Sequence, residues 1–187
     1  MNKFENRKHE SGEPAEDVTE LAWQEISREH LIQDEWIDFR RSAYRYPDGR
    51  IYQPFYTYSR RDYAVIVASD REGKYLCVRQ FRQGIRRVTT EFPAGGIEDR
   101  DAAGTPEDRT ARALAAAQRE LREETGYESD RWTHLLTVPS NATISDNLAY
   151  LFAATLFSNV LPTTLFHLYH VIAKLRAYRL GNLVNAK

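Results

Sequence analysis

Apolar positions in this chain fall into short runs of period two, interrupted once by a long run of helical period. Between Trp23 and Tyr58 the pattern predicts short strands. Residues 35–40 alternate, and Ser42-Ala43-Tyr44-Arg45-Tyr46 leads into Pro47-Asp48-Gly49, a strong turn signal. Residues 51–58 continue as the return strand, with Tyr52, Phe55, Tyr56 and Tyr58, so a small antiparallel sheet is expected over 21–60. Residues 63–68 form a compact buried-strand run, Asp70-Arg71-Glu72-Gly73 a hairpin turn, and 74–81 the partner strand, with Tyr75, Cys77 and Val78 available for packing. Residues 89–92 make a further short strand. The period then changes. From about Arg109 to Thr125, Ala113, Leu114, Ala116, Ala117 and Leu121 supply one apolar side of a helix, and Gly126 fits its C-terminal stop. Residues 133–138 and 147–154 predict two more strands. No internal repeat is present. Strands on both sides of one helix predict an α+β fold with a mixed sheet.

The two ends read differently. Residues 1–20 are polar and charge-rich and are expected to form a mobile arm. Residues 157–187 contain no Asp or Glu. There Leu165, Leu168, Ile172, Leu175 and Arg179 stand at helical spacing, interspersed with Lys174 and Arg176. That pattern fits a C-terminal helix docked on the core better than a membrane- or partner-binding helix. A tail replaced by a frameshift would also lack the composition of the rest.

Composition narrows the classes. A length of 187 residues supports one sizeable domain with a buried core. The formal net charge of −1 leaves no global basic field, and no basic stripe is interleaved with aromatics, which argues against nucleic-acid binding. Cys77 is the only cysteine, so no internal disulfide forms; this fits a reducing cytoplasm. No secretory apolar region stands at the N-terminus, and no apolar stretch is long enough to span a bilayer. A cytoplasmic location without membrane attachment is therefore expected.

Candidate chemistry concentrates in Arg119-Glu120-Leu121-Arg122-Glu123-Glu124-Thr125-Gly126-Tyr127. On a helix, Glu120, Glu123 and Glu124 share one face. Like charges so spaced repel. The face is either solvated among flanking arginines or built around a divalent cation, since hard cations take oxygen ligands and bridge carboxylates to phosphates. Upstream, Glu91-Phe92-Pro93-Ala94-Gly95-Gly96-Ile97-Glu98 ends a strand and opens a tight loop.

Together these residues resemble the Nudix hydrolase signature, Gly-x5-Glu-x7-Arg-Glu-Leu-x-Glu-Glu-x-Gly. Gly95 matches its Gly, and Asp101 stands where the family has Glu. Arg119, Glu120, Leu121, Glu123, Glu124 and Gly126 match its second half. The departure is the middle: residues 102–118 stand where the family has seven. Counting back from Arg119 lands on Ala111 instead. We read 102–110 as a loop insertion with a turn at Gly104-Thr105-Pro106. Insertions of this kind cost only about 0.6 kcal/mol of closure entropy per doubling of loop length.

The resemblance implies an α/β/α sandwich with the signature as loop, helix and loop, placed over 61–156 after the small N-terminal sheet. It implies Mg²⁺, with Mn²⁺ as an alternative, held by Glu120 and Glu124. Glu123 is a further ligand or a base acting through water, and the Ala94 carbonyl completes a metal shell. Gly95 and Gly96 let the backbone approach, and Arg119 pairs with a glutamate of the helix and fixes it. Val78-Arg79-Gln80-Phe81-Arg82 resembles the corresponding strand of ADP-ribose pyrophosphatases and nucleoside-diphosphate-sugar hydrolases, in which an arginine at the Arg82 position contacts the diphosphate. Trp36, the Pro47-Asp48-Gly49 turn and Pro54-Phe55-Tyr56 follow the same subfamily, and the match covers about 23–152. Its members are commonly homodimers with exchanged N-terminal sheets, so Trp36 and Phe55 are candidates for stacking on a base; ordinary packing is the alternative for both. Asp146 lies in a loop that could approach substrate or simply turn. His134, His167 and His170 lack metal-ligand spacing.

The implied reaction is hydrolysis of the pyrophosphate bond of a nucleoside diphosphate-sugar to a nucleoside monophosphate and a sugar phosphate. Such enzymes usually carry one more glutamate beyond the last strand, where this chain has none. Either Glu123 or another group covers that role, or activity is depressed. The alternative is a weakened nucleotide-binding module; a nucleoside-triphosphate hydrolase fits the N-terminal half less well.

Overall fold

A computed structural model describes residues 21–101, 105, 108–155, 158–159 and 178–180. The arm expected over 1–20 lies outside them. The described residues divide into two compact units, one of 21–61 with 139–147, the other of those in 62–138 and from 148 onward.

The first unit is an antiparallel sheet of β1 (Gln24–Gln33), β2 (Asp38–Arg45) and β3 (Ile51–Ser59), in that order. The strand starts differ from the alternation expected over 35–40. Asp34 Oδ1 accepts the backbone N–H groups of Trp36 at 2.7 Å and Ile37 at 2.9 Å, so a turn occupies the first half of that run. β1 itself is ten residues long and almost wholly exposed, without the clean alternation that would have announced it. The turn at Pro47-Asp48-Gly49 forms as expected, with Gly49 at φ 87° and its N–H bonded to the Tyr46 carbonyl at 2.9 Å. Trp23, Tyr44, Tyr46, Tyr52 and Phe55 pack edge to face or tilted at centroid distances of 4.4–6.2 Å. Asp38 and Arg40 are buried polar residues of the same sheet. His30 Nδ1 meets Asp38 Oδ1 at 2.7 Å, and Arg40 reaches Asp38 at 3.7 Å and Asp146 at 3.5 Å. Ser59 donates its hydroxyl to Asp146, tying the 139–147 loop to β3.

The second unit contains β4 (Tyr63–Ser69), β5 (Tyr75–Arg82), β6 (Arg87–Glu91), β7 (Ala94–Gly96), α1 (Arg109–Thr125), β8 (Tyr127–Glu128), β9 (Arg131–Pro139), β10 (Leu148–Thr155), β11 (Ser158–Asn159) and β12 (Tyr178–Leu180). The main sheet has the order β12-β5-β4-β10-β9, with β6 on β5 and β7 on β4. β10 pairs parallel to β4 while β5 pairs antiparallel to it, so the sheet is mixed, as the pattern required. Buried and half-buried positions alternate along β4. Ala64, Ile66 and Ala68 turn one way and meet Tyr150, Phe152 and Ala154 of β10 and Ala113, Ala117 and Leu121 of α1. Small residues on α1 let it lie close to the sheet, and each fully buried Ile, Leu or Phe contributes about 1.5–3 kcal/mol.

α1 begins and ends where the sequence placed it. Asp108 accepts the Ala111 N–H at 2.8 Å as N-cap. Gly126 adopts φ 73° and returns its N–H to the Arg122 carbonyl at 2.9 Å. Among the described residues this is the only α-helix. The helix expected in the tail rests on Leu165, Leu168, Ile172 and Leu175, which lie outside the described residues. Arg179 is in a strand instead: Tyr178–Leu180 pairs antiparallel with Tyr75, Leu76 and Cys77. Strand geometry places its neighbours by period two, so helical spacing at 179 was not informative. No helix among the described residues is long and apolar enough to cross a membrane.

Candidate active site

The site is built where β7 leaves the sheet and faces α1. β7 pairs with β4 through Tyr63–Gly96, Ala64–Gly95 and Val65–Ala94, so its backbone is fixed along its length. A Cβ at Gly95 would land on the Glu120 carboxylate. Only glycine lets that carboxylate rest against the strand. A Cβ at Gly96 meets nothing within 4 Å, so the close approach belongs to Gly95 alone.

Glu120 and Glu124 point into this contact. Burial pushes the Glu120 carboxyl above its ordinary range, against the pull of Arg119. Burial first, and the neighbouring Glu120 charge second, push Glu124 up to about 7. Its Oε2 accepts the Ala94 N–H at 3.3 Å. Ala94 thus reaches the acidic helix through its amide. Glu123 is turned away, half exposed, with Arg119 at 3.2 Å and Arg100 at 3.5 Å. The structure therefore brings together two of the three carboxylates.

Arg119 organises the pair. Its Nη1 donates to Glu120 at 2.6 Å, and Nε and Nη2 donate to the two oxygens of Asp101 at 2.8 and 3.0 Å. Nη2 also reaches the Gly96 carbonyl at 3.0 Å. The side chain is only 15% exposed, and its Nη1 also reaches half-exposed Glu123 at 3.2 Å. Burial alone would raise the Asp101 carboxyl, but hydrogen bonds from Arg119 and the Glu98 N–H hold it below its ordinary range. Asp101 is buried, and its partner is eighteen residues away in sequence. The widened middle of the motif leaves this bidentate pair closed. The sequence put Asp101 at the motif position but gave it no role.

Arg82 lies on β5 with its guanidinium on Glu91 of β6, Nε at 3.0 Å from both oxygens and Nη2 at 2.5 Å from Oε2. That hydrogen bond, aided by Thr89 and Gln80, holds Glu91 down at about 2. Glu91 stood in the upstream run without an assigned role; the signal was its place on the same face of the hairpin as Arg82. Trp36 and Phe55 belong to the first unit. Trp36 is 61% exposed, with the Arg61 guanidinium 5.4 Å from its ring centre. Phe55 is half buried in the aromatic cluster, 5.6 Å from Tyr44.

Among the described residues, no three acidic, histidine or cysteine side chains are arranged as a ready-made metal cage. The donor chemistry nevertheless fits a hard divalent cation. Two oxygen-donor carboxylates lie partly buried on one face of α1, and burial displaces both toward protonation.

The domain model described as "NUDIX domain" matches residues 59–161. An "ADP-ribose pyrophosphatase" of Bacillus subtilis (strain 168) is 29% identical, over 69% of this chain and 64% of its own length. An "ADP-sugar pyrophosphatase" of Mus musculus is 30% identical, over 56% of this chain and 49% of its own. A "Methanol dehydrogenase activator" of Bacillus methanolicus is 32% identical, over 48% of this chain and 43% of its own. The chain thus spans between about two fifths and two thirds of the length of these relatives. A solved structure titled "Crystal structure of ADP compounds hydrolase" superposes with a TM-score of 0.65, covering 85% of this chain and 78% of that one at 16% identity; it attests the fold alone. The family model covers more than half of the chain and includes β7, α1 and every residue of the Arg119 network, and on that ground the chain belongs to the NUDIX domain family.

Proposed function

We propose that the protein hydrolyses the pyrophosphate bond of a nucleoside diphosphate-sugar, with ADP-ribose the first substrate to test, using Mg²⁺ or Mn²⁺. The observation that carries this is the pair of half-buried carboxylates, Glu120 against Gly95 and held by Arg119, and Glu124 on the Ala94 N–H. Two acids raised by burial, beside a backbone that only glycine permits, support a cation seat over a solvated helix face. Names of the relatives point to the same substrate class.

In this reading Glu120 and Glu124 hold the metal, and Ala94 completes its surroundings. A bound divalent ion neutralises phosphoryl charge and lowers the pKa of water. The residues of the chain do the rest. Arg119, anchored on Asp101, fixes the Glu120 rotamer. Arg82 contacts and orients the diphosphate. Glu123, half exposed at the edge of the pair, accepts a proton through water. Exposed Trp36 stacks on the nucleobase, in a cytoplasmic homodimer; Phe55 serves packing first.

A second reading is a module that binds the nucleotide but turns it over slowly. The absence of any carboxylate over 157–187 favours it. Loss of a general base costs about 10²–10⁴-fold in rate. One experiment separates the two. Phosphate release is followed from ADP-ribose, GDP-mannose, UDP-glucose and a nucleoside triphosphate, with Mg²⁺ and alkaline phosphatase. Release from a nucleotide sugar that EDTA abolishes is the expected result. Silence across the panel from folded protein would replace the hydrolase with the binding module.

A further inference from the structure

The β5–β6 hairpin gathers a polar cluster on one face. Its register pairs Arg82 with Arg87, Gln80 with Thr89 and Val78 with Glu91. Gln80 and Arg82 on one strand therefore share a face with Thr89 and Glu91 on the other. Glu91 is saturated there. It accepts from Arg82 Nε and Nη2, from Gln80 Nε2 at 3.3 Å and from the Thr89 hydroxyl. Arg82 is held along its Nε–Nη2 edge, and its Nη1 has no hydrogen-bond partner among the described residues. The side chain is about half exposed. The pair is close enough to the acidic helix that both charges act on Glu124.

We propose that Glu91 is a positioning residue: it clamps one edge of Arg82 and leaves Nη1 presented to the substrate diphosphate. It rests on the assignment of Arg82 to the diphosphate. The physical case is competition and order. A free arginine within electrostatic reach of Glu124 would compete with a cation for that carboxylate. Glu91 offers a bidentate partner on its own hairpin, which keeps the guanidinium off the metal seat. It also removes rotamer freedom before substrate arrives, so less is lost on binding. Gln80 and Thr89 hold Glu91 in turn.

The test is a double-mutant cycle on the full chain, read as the Kd for ADP-ribose by calorimetry in EDTA. Arg82→Ala and Glu91→Gln are each expected to weaken binding about tenfold, the lower end for a charge-assisted hydrogen bond. The double variant should bind no more weakly than Arg82→Ala alone, because Glu91 acts only through Arg82. With Mg²⁺ present the same loss falls on KM, and kcat drops less than about twofold. Glu91→Asp keeps the charge but retracts it by one methylene, and carries the cycle if Glu91→Gln fails to fold. If Arg82→Ala weakens binding while the Glu91 variants do not, or if their losses add in the double variant, Glu91 positions nothing and Arg82 keeps its role. If Arg82→Ala changes nothing, or the wild type does not bind ADP-ribose, the assignment of Arg82 falls and the clamp with it.

Discussion

Replacing Glu124 by Gln should make the metal-free protein more stable and less active at the same time. Glu124 has a carboxyl displaced from 4.5 to about 7, through burial and then the Glu120 charge. The sign follows from proton linkage. A carboxyl raised in the folded state binds protons more tightly folded than unfolded. Its contribution is complete below pH 4.5 and is lost as pH rises through 7. At about 1.4 kcal/mol for each tenfold change in proton affinity, the displacement corresponds to about 3 kcal/mol. Partial solvent contact screens this to nearer 2 kcal/mol. Gln is isosteric, carries no charge, and its carbonyl can keep the hydrogen bond from the Ala94 N–H.

Thermal melts in EDTA at pH 5 and pH 8 measure this. A change of 1 kcal/mol shifts Tm by about 2–4 °C at this chain length. Glu124→Gln should therefore melt about 4–8 °C above wild type at pH 8, with the gap closing toward pH 5. Glu120, also raised by burial, leaves a weaker slope of the same sign in the variant. Mg²⁺ should raise the wild-type Tm at pH 8 and do little for the variant, since one donor is neutral. Hydrolysis should fall at least tenfold, about the effect of 1.4 kcal/mol on the barrier. A variant that melts at or below wild type at pH 8 would refute the burial argument. An unchanged rate would remove α1 from the metal site.

Two further perturbations separate the seat from its support. Gly95→Ala should cut the rate at least tenfold with little change in Tm, because the atom in the way is the movable end of Glu120 rather than backbone; a large drop in Tm with normal specific activity would contradict this. Asp101→Asn leaves the buried Arg119 charge without its carboxylate and should cost about 3–5 kcal/mol, the scale for breaking a buried pair. The Asp101 carboxyl is depressed, so its contribution is present above its unfolded pKa of about 3.9 and lost as pH falls through the folded value. Wild type should lose stability in that acid window and Asp101→Asn should not, as urea melts from pH 5 downward would show.

What was legible in the sequence was whatever repeats locally. α1 could be placed because its apolar side and its Gly126 stop lie within one continuous stretch; its Asp108 cap is seen only in the structure. β4 and β10 followed because one face of each is buried. β1 escaped notice for the converse reason, since a strand exposed on both faces imposes no period on its side chains. The site followed the same division. The three helix glutamates share a spacing and announce themselves. Which two of them turn inward depends on where Gly95 lies, and that is decided by its pairing with Ala64 across the sheet. Asp101 and Glu91 are harder still, because each earns its place through a partner on another element. Arg119 is separated from Asp101 by an insertion that broke the motif count, yet the fork closes because both ends are held, one by the Glu98–Asp101 turn and one by α1. A motif spacing records how ancestors connected two anchors. The chemistry needs only that the anchors meet, and here a buried arginine with two oxygens at 2.8 and 3.0 Å meets that condition across a loop of different length.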